Sequence, residues 1–575
     1  MKKRFVTMVI LAAILCLSAW LVMPHTVNAE TVDGGACGEN LTWFLDSTGT
    51  LTISGSGPMS AYTDRYHAPW APYRDMIESV VLEEGVTSIG NYAFIYCDRL
   101  CSVTLPDTLK SIGLWAFYSC DLLQSVTIPE GITAIHEGAF GSCVSLETVS
   151  FPSTLTTIGD SAFSYCVNLR QLRLPEGLNY IGNNGFSGCA GLAELQIPDS
   201  VTSMGVWAFG KCTGLKSVTV GTGMRELPER MFSGCTALRS VRLTDQVTVI
   251  GEWCFAECES LEHIDLPQNL QTIGSRGFLK CKKLKNLSIP ESVTYIGHSA
   301  FSSCESLTQI VIPEGVTYLS PGLFSWCTNL EYVTLPDGIE GIRFCTFQYC
   351  SSLREIHIPK SVTYIENHAF LDCTSLAVVE IPDQVTSIGV DAFKGCKNLG
   401  AVVLPESLTE IGGDAFYGCK KLWHVMYKGT EDQWNEITIS GGNTRLKNAA
   451  RHNECTGCEL ELKFIVDPTC TEKGTLNVIC SLCRKRCYNI PAAPLGHHFE
   501  NGVCSRCGEL DLEKLDVNGD GLVNIRDARA LLKLLSEGTV EDGKDPNGDG
   551  RINTRDVRRR TPPDHLQPGG KRHQV

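Results

Sequence analysis

The most regular feature of this chain is a pattern of apolar residues that repeats every 23 residues from Cys97 to Cys419. Each unit holds a Cys, with a Phe three residues before it, a Leu three residues after it, and an apolar pair six and eight residues after it. In one unit these residues are Phe117, Cys120, Leu123, Val126 and Ile128. A fixed period of this length predicts a solenoid, because one unit cannot bury its own apolar face and must stack on its neighbours.

Each unit is expected to contain three parts. A short alternating strand such as residues 125–128 ends at Pro129, which lacks an N–H group and marks a strand boundary. A second extended piece such as residues 133–135 follows, and then a compact turn with Phe140 and Cys143. Stacking therefore predicts two parallel β ladders with short helical turns. About fifteen units at about 4.8 Å give a rod or arc on the order of 70 Å long.

The repeat defines the ends of the solenoid, which we assign to residues 76–427. Before it, residues 30–75 contain two strand-like runs around a turn sequence at residues 46–49, which predicts a hairpin. An open edge of a solenoid needs cover, so we interpret residues 30–75 as an N-terminal cap. Residues 428–450 keep apolar residues but lose the repeat, which predicts a C-terminal cap.

The fifteen cysteines that recur in phase have two interpretations. The chain has 28 Cys, and an exported protein would normally form disulfides. Equivalent residues of adjacent units also lie close enough to pair. However, fifteen is an odd number, and Phe and Leu flank each Cys at the spacing of a core. We therefore favour a column of buried thiols that pack as small hydrophobic groups.

Charge and the N-terminal segment indicate where the protein acts. The net charge of −15 argues against nucleic acid as a partner. Residues 1–29 have the basic start, apolar run and small final residues of a signal peptide, with an uncleaved membrane anchor as the alternative. No other run is long and apolar enough to span a bilayer, so no membrane span is expected after signal removal. We expect a secreted protein, extracellular or attached to the cell surface through a scaffold.

The repeated motif Ile-Gly-x-x-Ala-Phe-x-x-Cys-x-x-Leu-x-x-Val-x-Ile-Pro resembles the BspA-type leucine-rich repeat of bacterial surface and secreted proteins. The resemblance covers about residues 76–427, with Gly221 and Thr244 in place of the Pro and Lys428 in its place where the repeats end. It implies a repeat solenoid of the leucine-rich repeat class, whose repeats bind a ligand and do not catalyse a reaction.

Outward positions of the first strand of each unit indicate the kind of ligand. They are mixed and mostly polar, and include Gln171, Arg173, Glu194, Gln196, His263, Asp265, Gln309, Val311, Glu355 and His357. Aromatic residues are scarce there: Tyr332 is one exception, and Trp423 lies beside the last strand. Sugar chains are usually held against aromatic rings. The pattern therefore favours a protein or peptide over a glycan, and a merely solvated surface is the alternative at any single position.

Residues 451–510 form a Cys-rich segment with a different composition. Three C-x-x-C pairs occur there, and the pairs Cys455/Cys458 and Cys480/Cys483 have the spacing of a zinc ribbon. Disulfides are the competing interpretation because the segment is expected to be exported. Free thiols are the third interpretation, and all three stay open.

Residues 511–575 contain two sequences with the spacing of calcium loops, offset by 29 residues. Oxygen ligands at loop positions 1, 3, 5, 9 and 12, a Gly at position 6 and a carbonyl at position 7 suit Ca²⁺. The first loop offers Asp516, Asn518, Asp520, Asn524, Asp527 and the carbonyl of Leu522. The second offers Asp545, Asn547, Asp549, Asn553, Asp556 and the carbonyl of Arg551. Two bound calcium ions are predicted.

The paired loops resemble a type I dockerin, a small α-helical calcium-binding module that binds cohesin domains of cellulosome scaffolds. The resemblance assigns partner recognition to Ile525-Arg526 and Thr554-Arg555, at positions 10 and 11 of each loop. The second helix departs from the family pattern, because its start at residues 557–560 runs into Pro562-Pro563.

The sequence contains no G-x-S-x-G, H-E-x-x-H or P-loop motif, so we expect no enzyme. We predict a non-catalytic binding protein whose repeats hold a protein or other macromolecule. Its dockerin would attach it, through calcium-dependent cohesin binding, to a scaffold of a polysaccharide-degrading system. The alternative is a cell-surface adhesin whose calcium loops are only structural.

Overall fold

The computed structural model describes residues 29–451 and five later strands: Leu460–Val466, Gly474–Cys480, Arg486–Ala492, Phe499–Glu500 and Val503–Cys504. The chain divides into two compact units, Met1–Glu454 and Cys455–Val575. In the second unit, the first three strands form an antiparallel sheet in chain order and the last two form a separate antiparallel pair. Residues 1–28 of the predicted signal peptide and both predicted calcium loops lie outside the described residues.

A three-stranded antiparallel sheet begins the first unit. Its strands are Thr31–Ala36, Leu41–Asp46 and Thr50–Gly55. The hairpin predicted between the last two is confirmed. Asp46 holds its turn, because Oδ1 accepts hydrogen bonds from the N–H groups of Thr48 and Thr50, both at 2.9 Å. The third strand then pairs in parallel with Ser79–Leu82, so the hairpin joins the solenoid directly.

Parallel strands that follow each repeated Leu form the first ladder. In most of these strands the inward residue is apolar and buried and the outward residues are more exposed, as in Glu194–Gln196 around buried Leu195, whereas Ala401–Leu404 is buried throughout. Strands pair 23 residues apart, so that Leu195 lies opposite Val218. The strands of the first ladder are Ser79–Leu82, Ser102–Thr104, Ser125–Thr127, Thr148–Ser150, Glu194–Gln196, Ser217–Thr219, Ser240–Arg242, His263–Ile264, Gln309–Val311, Tyr332–Thr334, Val378–Glu380, Ala401–Leu404, His424–Tyr427 and Ala450–Arg451.

Shorter parallel strands form the second ladder, so both predicted ladders are confirmed. Its strands are Gly57–Pro58, Val86–Ile89, Ser111–Ile112, Ala134–Ile135, Thr157–Ile158, Tyr180–Ile181, Ser203–Met204, Glu226–Leu227, Val249–Ile250, Thr272–Ile273, Tyr295–Ile296, Gly341–Ile342, Tyr364–Ile365, Ser387–Ile388, Glu410–Ile411 and Thr438–Ile439. In almost every one of these strands, the last residue is aliphatic and buried and the residue before it faces outward, as in Tyr364–Ile365.

The turns between the ladders stack by backbone hydrogen bonds from one unit to the next. Within one unit, the N–H groups of Trp115, Phe117 and Ser119 donate to carbonyls of the following unit at 2.8–2.9 Å. Trp115 and Ser119 both have φ of 57°, and the equivalent positions repeat this left-handed conformation along the solenoid. The segment is therefore a series of hydrogen-bonded turns in place of a regular helix, because left-handed residues interrupt the helical backbone.

A continuous column of stacked phenylalanine rings fills the core under these turns. From Phe94 to Phe416, successive ring centroids lie 5.0–6.2 Å apart, with interplanar angles of 4–21°. Each ring buries a large apolar surface, which makes the column a dominant source of burial. The side chains of the column are fully buried, as at Phe255, which is 0% exposed.

Both ends of this column are closed by side chains outside the repeat. At the start, Trp70 precedes the 3₁₀ helix Ala71–Met76, stacks on Phe94 at 5.4 Å and donates to the carbonyl of Ala93. At the other end, the buried Asn443 accepts a hydrogen bond from the N–H of Phe416 at 2.9 Å. Asn443 thus replaces the carbonyl that a further unit would have supplied. Two short helices, Glu431–Glu436 and Thr444–Asn448, flank Asn443.

The cysteine column is buried, as predicted, and it also makes hydrogen bonds. The fifteen in-phase cysteines, from Cys97 to Cys419, are buried free thiols. From Cys120 to Cys419, each in-phase thiol donates to the carbonyl of the Phe 26 residues earlier, at 3.1–3.3 Å. Burial raises the pKa of Cys327 and of Cys419 to about 12. A thiol is therefore both a filler and a weak donor here.

Truncating one ring in the phenylalanine column should destabilise the solenoid strongly. We expect Phe255→Ala to lower the free energy of unfolding by about 3–5 kcal/mol, because it leaves a cavity in a fully buried stack. Val311→Ala is the control, since Val311 is 57% exposed, and it should stay within about 0.5 kcal/mol. Guanidinium unfolding followed by circular dichroism measures both, and similar midpoints for the two variants would contradict the column's role.

The thiol column should resist alkylation while the protein is folded. At pH 8, a thiol of pKa about 12 is ionised to about one part in ten thousand, and its burial blocks access as well. We expect maleimide to modify the half-buried Cys345, whose pKa burial raises to about 11, before Cys327, which should react only after unfolding by denaturant. Mass spectrometry of peptides from the labelled full chain gives the rate at each site. Equal labelling of Cys345 and Cys327 in native buffer would show that the column is open.

Candidate binding site on the first ladder

The outward face of the first ladder carries the side chains that the sequence singled out for ligand binding. All ten predicted positions, from Gln171 to His357, are exposed in the structure. They occupy different units, and the structure brings only some of them together. Gln171, Arg173, Glu194 and Gln196 lie on earlier units, away from the later groove.

One groove of about 810 Å³ crosses four successive units of this face, and four of the predicted residues line it. These are His263, Asp265, Gln309 and Val311, and Tyr332 closes the groove at the next unit. Tyr332 and Val311 supply apolar surface, while the others supply polar groups. Open, mixed grooves of this kind suit an extended chain more than a small enclosed ligand.

The groove lies where the hydrogen bonding of the first ladder is interrupted. The strand His263–Ile264 ends one sheet and Gln309–Val311 begins another. The unit between them contributes a single bridge, from Asn286 to Gln309. Because parallel strands normally exchange evenly spaced hydrogen bonds, this unit leaves backbone polar groups that are not used by a regular ladder. The amide side chains of Asn286 and Gln309 add donors and acceptors beside that backbone.

The charges in the groove are few and exposed. His263 Nε2 lies 2.9 Å from Asp265 Oδ1, and the two side chains are 69% and 90% exposed. An exposed pair of this kind contributes little to stability, because water and salt screen it. A ligand can therefore replace the contact between His263 and Asp265 with little loss of stability.

Tyr332 is the one groove residue with an unmet polar demand. Its hydroxyl is buried without a hydrogen-bond partner, and burial raises the pKa of Tyr332. A buried hydroxyl without a partner has lost its hydrogen bonds to water with no replacement. The Tyr332 hydroxyl therefore lowers the stability of the folded protein, while the ring forms part of the groove wall.

Sequence reasoning found the residues of the groove but missed the break that forms it. Residues 286–289 read Asn-Leu-Ser-Ile, which keeps the alternation of the other units. Leu287 and Ile289 are buried as that alternation requires. No feature of the apolar pattern therefore distinguishes this unit from the others.

Almost all of the predicted metal ligands lie outside the described residues. Both sets of calcium residues, together with Cys455, Cys458 and Cys483, lie outside the described residues, and Cys480 ends a strand whose side chains are not described. The recognition residues Ile525, Arg526, Thr554 and Arg555 are also outside them. Among the residues that the structure does describe, no group of three His, Cys, Asp or Glu side chains is placed to hold a metal ion. In this same part of the chain, no helix has the length and apolar character needed to cross a membrane.

Two family models match this chain. The BspA type leucine rich repeat region (6 copies) matches residues 73–193, 180–308 and 294–423. The dockerin type I domain matches residues 514–559, which include both predicted calcium loops. The two matches agree with the two resemblances noted in the sequence. No curated protein matches the chain.

Solved structures of bacterial leucine-rich repeat proteins are similar to the chain. A leucine-rich repeat protein from Bacteroides ovatus is 28% identical, with a TM-score of 0.53, over 71% of this chain and 99% of that one. One from Eubacterium ventriosum is 24% identical, with a TM-score of 0.41, over 63% and 94%. A leucine rich cell surface protein from Faecalibacterium prausnitzii is 25% identical, with a TM-score of 0.32, over 71% and 98%. The first similarity supports the solenoid fold.

Removing the hydroxyl of Tyr332 should not weaken the fold. We expect Tyr332→Phe to leave the free energy of unfolding unchanged or to raise it by up to about 1 kcal/mol, because a buried donor without a partner disappears. Tyr73→Phe is the matched control: the Tyr73 hydroxyl donates to Asp33 Oδ2 at 2.7 Å, so its removal should lower stability. Thermal unfolding of both variants tests this, and a clear loss in Tyr332→Phe would mean that its hydroxyl has a partner.

Proposed function

Because the chain belongs to the BspA-type leucine-rich repeat family, we propose that it is a secreted protein that binds a macromolecular ligand on its repeats and is held on a scaffold by its C-terminal module. Leucine-rich repeats and dockerins are both non-catalytic modules, which supports a binding protein over an enzyme. The single observation that carries the proposal is the presence of both modules in one chain.

The ligand that best fits the repeats is an extended segment of a protein. Asn286 and Gln309 offer amide donors and acceptors that match a peptide backbone. Val311 is 57% exposed and Tyr332 lies beside it, so an apolar side chain of the ligand has a place to pack. The interrupted ladder adds backbone groups along the same line. Such a groove resembles strand-edge recognition, in which main-chain hydrogen bonds supply affinity and side-chain pockets supply specificity.

The dockerin match supports attachment through a cohesin domain, with calcium as the cofactor. In our proposal two calcium ions are held by the loops that begin at Asp516 and Asp545, and each ion fixes the turn that presents a recognition pair. These pairs are Ile525-Arg526 and Thr554-Arg555. The sequence of residues 527–535 predicts an amphipathic helix after the first pair, whereas Pro562-Pro563 is expected to end the second helix early, so we propose docking mainly through the first pair.

The remaining assignments follow the same proposal. Residues 1–29 would direct export, residues 30–75 and 428–450 would cap the solenoid of residues 76–427, and residues 511–575 would form the dockerin. Residues 451–510 would be a small module held by zinc or by disulfides. A cellulosome-type scaffold of a polysaccharide-degrading system would be the partner outside the cell.

Cohesin binding should depend on calcium and on the ligands that the loops supply to it. We expect the full chain to bind a type I cohesin in calcium, and the double variant Asp516→Ala/Asp545→Ala to bind at least about tenfold more weakly, because each loop loses a first-position ligand. Asp511→Ala, an acidic residue outside both loops, is the control and should bind normally. Surface plasmon resonance with and without a chelator measures the affinities.

The same preparations separate attachment from ligand binding. Val311→Arg should lose proteins that the wild-type chain retains from the secreted fraction of its organism, while its cohesin affinity stays unchanged. Cohesin binding that survives the chelator would refute calcium-dependent attachment. Retention of the same proteins by Val311→Arg would refute the groove. Attachment of host or neighbouring cells without any cohesin binding would favour the adhesin.

A further inference from the structure

Tyrosines cluster at one outward position of the second ladder, on a different ladder from the groove. In four successive units this position holds Tyr295, Tyr318, Gly341 and Tyr364. Tyr295 and Tyr318 are each 47% exposed. In the four preceding units, the same position holds Ser203, Glu226, Val249 and Thr272. The aromatic residues are therefore concentrated along one short stretch of the ladder.

In the middle of this stretch a cation lies between two rings. The guanidinium carbon of Arg343 lies 4.8 Å from the ring centroid of Tyr318 and 4.9 Å from that of Tyr364. Arg343 also pairs with Glu366, with Nη1 and Oε1 2.9 Å apart. Fixed rings lose little entropy when a ligand covers them, which favours binding.

A glycine gives one of these rings its place. A Cβ atom at Gly341 would lie 2.2 Å from Cε2 of Tyr364 and 2.5 Å from its Cζ. The Tyr364 ring therefore lies over the Gly341 backbone, in space that any other residue would fill.

A groove of about 330 Å³ continues from Tyr364 toward the following units. Phe344, which is 46% exposed, forms one wall, and Asn367, Ser387 and Glu410 bring polar groups to it. Glu366 lines the groove too, and its Oε2 accepts a hydrogen bond from the N–H of Phe344 at 2.8 Å. Exposed rings thus meet carboxylate, amide and hydroxyl groups on one surface.

We propose that this surface, formed by Tyr295, Tyr318, Arg343, Phe344 and Tyr364 with its adjoining groove, binds a neutral polysaccharide. Sugar rings have apolar faces that stack on aromatic rings and hydroxyl groups that bond to carboxylates and amides.

Other classes of ligand fit this surface less well. Nucleic acids and sulfated chains need a cluster of free cations, whereas Arg343 is already paired and Glu366 and Glu410 would repel an anion. A lipid surface would need a broad apolar patch without carboxylates. A polysaccharide bound here would lie on the second ladder and leave the first-ladder groove free for the protein ligand. The proposed polysaccharide site is therefore independent of the proposed function.

Affinity electrophoresis of the full chain in gels with soluble β-glucan, xyloglucan, arabinoxylan or galactomannan tests this site. We expect at least one of these neutral polymers to retard the wild-type chain. Tyr318→Ala should weaken that binding about tenfold, because one stacking ring and one side of the Arg343 clamp are lost. Tyr318→Phe keeps the ring and should bind nearly as the wild type does. Tyr180→Ala, at the same position of a unit outside the cluster, should leave binding unchanged.

Thermal unfolding of each variant checks that it remains folded. If Tyr318→Ala is unfolded, Tyr295→Ala serves as the test in its place. Retardation by none of the four neutral polymers would overturn the proposal. Equal binding by wild type, Tyr318→Ala and Tyr295→Ala would also overturn it, as would retardation by dextran sulfate alone. None of these results bears on cohesin binding, which depends on residues outside this surface.

Discussion

The hydrogen bonds that join each turn to the turn of the next unit are the constraint on which the solenoid depends. In most units these hydrogen bonds fix two residues in the left-handed backbone conformation. Many of these residues have bulky side chains, such as Trp115, Arg230 and Tyr349. A left-handed conformation costs such a residue free energy unless the surroundings impose it. Here the surroundings are the adjacent units, so the conformation of each unit is a property of the stack. One unit alone could not keep it.

The same side of the molecule carries the other continuous interactions. The phenylalanine rings stack without a gap from Trp70 to Phe416, and the thiols behind them donate to phenylalanine carbonyls. Both ladders, in contrast, are divided into short sheets. Because the turns and rings maintain the stack, the ladders tolerate local breaks. The first-ladder groove occupies one such break, and outward positions of the second ladder are free to hold a tyrosine cluster.

Sequence reasoning reached the parts of the fold that depend on side-chain periodicity. The phase of Phe, Cys and Leu gave the buried column, both ladders and the solenoid class, and the turn sequence after Asp46 gave the hairpin. It missed features that arise between units, such as the break at Asn286, the left-handed turns and the closing contacts of Asn443. These are conformations and hydrogen bonds of the backbone, which the pattern of apolar residues does not encode. The signal peptide, the zinc cysteines and the calcium ligands remain predictions.

Asn443 has a further consequence for how such a protein changes over generations. Its amide takes the place of a neighbouring unit only for Phe416, and it depends on no residue farther back than Gly412. From Ser79–Leu82 to His424–Tyr427, the paired strands of the first ladder join residues 23 apart. Recombination within the gene could therefore delete or duplicate whole units and still leave the last one matched to its terminator. The number of repeat units can thus change by drift and selection, while the segments that close the two ends stay the same.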